Sequence, residues 1–162
     1  AFGQSPSTDS QTLQALLSEV RQLRQELQTR SAAAERIQIL FFHIQTQQAA
    51  VARASQRADD ARTKLTETQT ARKKVETEAK DVHDRLDQTD QTNVAANQKD
   101  LETMASYYKQ RLQELSDEEQ QRQAKQIEAD DQLRLEQAKL DDLQSRLDEI
   151  DKALQKSSPR SD

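Results

Sequence analysis

Cysteine and tryptophan are missing from these 162 residues, and glycine occurs once, at Gly3. Without cysteine there is no disulfide framework and no thiolate ligand or nucleophile, and the redox compartment stays open. The only prolines are Pro6 and Pro159, so every strong helix breaker sits near an end. A glycine-rich loop of the kind that cradles phosphates cannot be built from one glycine. Aromatic residues, at 3%, are too few to fill a layered α/β core. No apolar run approaches the ~20 residues of a membrane span; the densest, "IQILFFHI" at 37–44, is far shorter. A formal charge of −5 lacks the basic footprint of a nucleic-acid binder. The one basic knot, "ARKK" at 71–74, is followed at once by Glu76 and Glu78.

What is present is charge and helix formers. A third of the residues are charged and the mean hydropathy is −1.08, values that fit disorder, a coiled coil or a long helix. Leucine, glutamine, glutamate, arginine, lysine and alanine fill the interior, all favourable in helices. The expectation is one all-α folding unit.

Periodicity sharpens this. Val51, Ala54, Ala58, Ala61, Leu65, Thr68, Arg72, Val75, Ala79, Val82 and Leu86 follow alternating steps of three and four. That is the 3.5-residue period of a coiled-coil seam. A second such run goes from Leu101, Ala105, Tyr108, Leu112 and Leu115 through Glu119, Arg122, Gln126, Ala129, Leu133, Glu136, Leu140, Leu143, Leu147 and Ile150 to Leu154. Both patterns stop in "DQTDQTNVAANQKD" at 87–100, whose Asp, Asn, Thr and Gln favour turns and caps. Folding back near Asn93 and Val94 sets Leu86 beside Leu101, Val75 beside Leu112, Ile44 beside Leu143 and Ile37 beside Ile150. A half-heptad shift would set Arg72 against Arg122, which repulsion disfavours. Residues 10–88 carry 13 basic and 11 acidic side chains, and residues 99–156 carry 10 and 15, so the two arms attract weakly. The fold expected is a long antiparallel two-helix coiled-coil hairpin with an N-terminal heptad overhang. The competing reading is one continuous helix, ~220 Å long at 1.5 Å per residue, in a parallel dimer.

The expected boundaries are a disordered tail at 1–9, a first helix at 10–88, a turn at 89–97, a second arm at 98–156 and a tail at 157–162. Within the first helix, 10–30 is an overhang zipper and 31–88 the hairpin arm. Leu154 reaches back only to about Ala33, which leaves Leu13, Leu16, Val20, Leu23 and Leu27 in heptad steps with no partner in the chain. That register continues through Arg30, Ala34, Ile37, Phe41 and Ile44, whereas the hairpin register uses Ile37, Leu40 and Ile44. "IQILFFHI" therefore serves both, through a stammer at Ala34, Ile37 and Leu40. Ile39, Phe41 and Phe42 are surplus to the hairpin seam. With the Leu13–Leu27 stripe they form a candidate protein-interaction surface, covered either by another copy or by 13–27 folding back.

Thr68, Arg72, Glu119, Arg122 and Gln126 fall at similar heights and form a candidate polar layer that sets register. Chemistry is otherwise sparse: His43 and His83 are about forty residues apart, and His83 with Asp87 lacks a third metal ligand. Acidic clusters such as Asp117, Glu118 and Glu119 read as solvated faces rather than acid–base pairs. No catalytic, cofactor or metal residues are expected, and the chain is expected not to be an enzyme. Ala1 and Gly3 stand at the spacing a signal peptidase reads, with Gln4 next. The expected location is therefore periplasmic or secreted, with the cytoplasm left open.

The stretches "LLSEVRQLRQEL", "ERIQIL" and "VARASQR" resemble a set of uncharacterised exported bacterial coiled-coil proteins, over about the first third of the chain. The resemblance implies a cell-envelope location and assigns no activity. The hairpin outline is also similar to jellyfish-like periplasmic chaperones and efflux-adaptor hairpins, but the β-strand body and the lipoyl or barrel segments of those proteins have no counterpart here. The functional expectation is a self-associating envelope scaffold, a homo-oligomer with a possible protein partner. The alternative is a holdase-like or adaptor module that grips clients through 37–44.

Overall fold

A computed structural model of the protein describes residues 6–89 and 95–157. Two helices account for all of them: α1, Pro6–Thr89, and α2, Ala95–Ser157. They run antiparallel and pack on each other as an all-α hairpin. The sequence explains their length. Threonine, usually a poor helix residue, recurs along α1, but its hydroxyls bond back within the helix: Thr46 to the Phe42 carbonyl at 2.9 Å and Thr63 to that of Asp59 at 3.0 Å. Thr89 likewise donates to the Arg85 carbonyl, and at the end of α2 Ser157 donates to the Leu154 carbonyl, one of the last four of that helix.

The helices are longer than the sequence suggests. Residues 6–9, expected in the tail, belong to α1, because proline fits a first helical turn and Asp9 complements the helix dipole there. Residues 95–97, expected in the turn, belong to α2, as does Ser157. Thr89 likewise ends α1 rather than starting the turn. The turn centre at Asn93 and Val94, and the tails at 1–5 and 158–162, lie outside the described residues.

Contacts divide the chain into two units. In the unit Ala49–Ala138, every expected seam position is buried or half-buried. Ala58 has no exposed surface, Leu115 keeps 2%, and Ala54 and Val82 keep 3% each. Arg62 donates to Asp130 across the arms at 2.7 Å, and the Tyr108 phenol lies near the Glu78 carboxylate of the other arm. In the unit Ala1–Gln48 with Lys139–Asp162, Ile44 is buried, and Ile37, Leu40, Leu143, Leu147 and Ile150 are half-buried. Ala33 and Leu154 line the groove where α2 ends.

Candidate interaction surface

The helix α1 passes through 10–33 without a break, so the overhang is a direct extension of the hairpin arm and does not fold back on 37–44. Residues 7–32 are exposed throughout. Leu13, Leu16, Leu17, Val20, Leu23 and Leu27 each show between 52% and 67% of their surface. Helical geometry holds the five heptad residues in one stripe. At about 100° per residue, its mean direction lies roughly a quarter-turn from the face that Ile37, Leu40 and Ile44 turn to α2. Phe41 continues the stripe, and α2 does not cover it.

"IQILFFHI" thus divides as its two registers require. Ile37, Leu40 and Ile44 enter the hairpin seam, while Ile39, Phe41 and Phe42 are more than half exposed. Phe42 lies beside His43, with ring centroids 6.2 Å apart and planes tilted by 54°. Strict reading of a and d positions misses Leu17, which stands on the stripe's edge. The doublet Leu16-Leu17 is the signal that marks it.

The polar layer is partly assembled. Arg72 donates to Glu119 across the arms and to Glu76 on its own helix at 2.8 Å, and Gln69 donates to Glu119 at 3.1 Å. The hydrogen bond to Glu76, and then that to Glu119, raise the Arg72 guanidinium above its ordinary pKa. Thr68 is buried, but its hydroxyl returns to the Lys64 carbonyl at 3.0 Å and needs nothing from the other arm. Arg122 pairs with Glu118 one turn away on α2 rather than across the hairpin, because that carboxylate is nearer than any on α1. Gln126 is half-buried.

Among the described residues no group of three or more His, Cys, Asp or Glu could hold a metal ion. His83 and Asp87 approach only to 3.8 Å, both well exposed. No described helix is long and apolar enough to cross a membrane. What the arrangement offers chemically is apolar surface and charge on two helices. No protein-family model matches the chain, and neither a curated protein nor a solved structure matches it.

Proposed function

We propose that the protein is a non-enzymatic scaffold of coiled-coil type that acts by self-association. The hairpin is its body and the overhang its joint. One observation carries this reading: Leu13, Leu16, Val20, Leu23 and Leu27 repeat at heptad spacing on a helix that leaves all five more than half exposed. A stripe of that kind on an otherwise uncovered helix is marginal in water, and a contiguous apolar strip marks an interaction surface. Scattered apolar residues such as Met104, Ile127 and Leu135 on α2 form no comparable row. The resemblance noted for the first third of the chain supports a cell-envelope location for this scaffold.

The test is the mass of the wild-type chain in the micromolar range by sedimentation equilibrium. A concentration-dependent oligomer that binds no dye for exposed apolar surface is the expected result. A second reading, client binding of holdase type, is favoured by Ile39, Phe41 and Phe42, whose adjacent side chains point in different directions and so suit irregular partners. It predicts dye binding at concentrations where the chain has already reached its final mass.

A further inference from the structure

We infer that the occupant of the overhang stripe is the same overhang of a second copy, lying parallel and in register with it. The inference rests on the self-association reading and adds orientation, strand number and the charges that decide both. With Leu13, Val20 and Leu27 at a and Leu16 and Leu23 at d, the flanking positions follow from the sequence. The g positions are Glu19 and Glu26, and the e positions are Leu17 and Arg24, all exposed. In an antiparallel pair g faces g and e faces e. No antiparallel alignment of this stripe therefore sets Glu19 or Glu26 beside Arg24, and those that overlap most of it set glutamate near glutamate. In a parallel pair g of one helix faces e of the next heptad on the other. Glu19 then meets the partner's Arg24, and symmetry makes the contact twice.

Two further features fit. A β-branched residue at a with leucine at d favours two strands, and Val20 sits at a between Leu16 and Leu23. Arg30 occupies the next d position and would face its own copy there, which ends the zipper at Leu27. Just beyond it, at Ala33, α2 begins to supply intramolecular cover. Leu154 and Ser157 at the end of α2 flank residues 22–30, yet Leu23 and Leu27 stay more than half exposed.

The absence of native cysteine makes the test direct. Leu16→Cys and Leu23→Cys are made singly in the full chain and oxidised mildly, and both are expected to give disulfide-linked dimers. A disulfide needs Cα atoms within about 7 Å. Two sites seven residues apart cannot both meet their own copies in an antiparallel pair, because at ~1.5 Å per residue at least one self-pair is then held ~10 Å or more apart. Arg24→Glu is expected to weaken association about tenfold through two lost and reversed pairs, and adding Glu19→Arg should restore it. A wild-type oligomer in which only one or neither cysteine cross-links overturns the parallel arrangement and leaves self-association standing. A wild-type monomer overturns both, whether the stripe then proves to bind a lipid surface or a different protein.

Discussion

Replacing Leu23 by glutamate should dissolve the assembly and leave the hairpin intact. Leu23 is 52% exposed, so about half of the ~1.5–3 kcal/mol that full burial of a leucine provides is still open to a partner. In a symmetric pair both copies change, and roughly 2 kcal/mol of apolar burial is lost. Each new carboxylate also enters the seam without a partner, at a cost of about 1–3 kcal/mol per group. Together these reach roughly 4–8 kcal/mol, or a ~10³- to 10⁶-fold weaker Kd. The five stripe residues of each copy can contribute on the order of 10–15 kcal/mol to the pair, against ~4–15 kcal/mol of lost freedom on association. The margin is too thin to absorb the change. Sedimentation equilibrium should therefore report a monomer for Leu23→Glu at every practical concentration. Gln25→Glu, on the opposite side of the same helix, should keep the wild-type mass. Circular dichroism of both variants should retain the arms, because Ala58, Val82 and Leu115 are buried in the other contact unit. An unchanged mass for Leu23→Glu, or equal dissociation by Gln25→Glu, refutes the assignment of the stripe as the joint.

Replacing Arg72 and Glu119 together by leucine should raise the melting temperature while adding alternative registers, seen as a broadened distance distribution between spin labels at Thr77 and Gln110. A double variant that is less stable and still uniform would contradict this. Leu115→Ala should destabilise the hairpin by about 2–5 kcal/mol in denaturant titration, toward the lower end because a seam between two helices can partly close the gap. A loss below ~1 kcal/mol would mean that Leu115 is not in the seam. The Tyr108 phenol is raised above its ordinary 10.0, first by burial and then by the negative charge of Glu78. Its folded pKa exceeds the unfolded one, so its contribution to stability holds below pH 10 and is lost as pH rises through the raised value. Tyr108→Phe should therefore lose less stability than wild type on moving above pH 10, and equal alkaline losses would sink the linkage.

The seam was legible in the sequence because nothing competes with it. With one glycine and two prolines near the ends, heptad steps decide which residues turn inward, and Val82, Leu115 and Ile44 lie where the steps put them. The splitting of "IQILFFHI" was legible for the same reason, since two registers cannot share Leu40 and Phe41. The ends were harder to read. The polar run at 87–100 favours turns and caps, yet α2 already includes residues 95–97, because alanines at 95 and 96 favour helix strongly. Side-chain partners inside the polar layer were beyond periodicity. Arg122 could reach across the arms or one turn along α2, and the choice of Glu118 depends on rotamers that spacing does not encode. Leu17 was missed because it occupies an e position, outside the two positions per heptad that define a seam.

The alanine step at Ala54 and Ala58 has a consequence for how this chain can change. Ala58 exposes no surface and Ala54 3%, so these sites have room in neither direction. A larger side chain would overpack the arms at about 1–3 kcal/mol, and glycine would weaken the helix by roughly 1 kcal/mol. Most solvent-facing positions of α1 tolerate substitution within a few tenths of a kcal/mol, so mutational drift is cheap over the exposed faces of the helix and not at these two. They act as a fixed gauge for the spacing of the arms. Variation in the overhang can then alter which surface the protein meets without altering the hairpin that presents it.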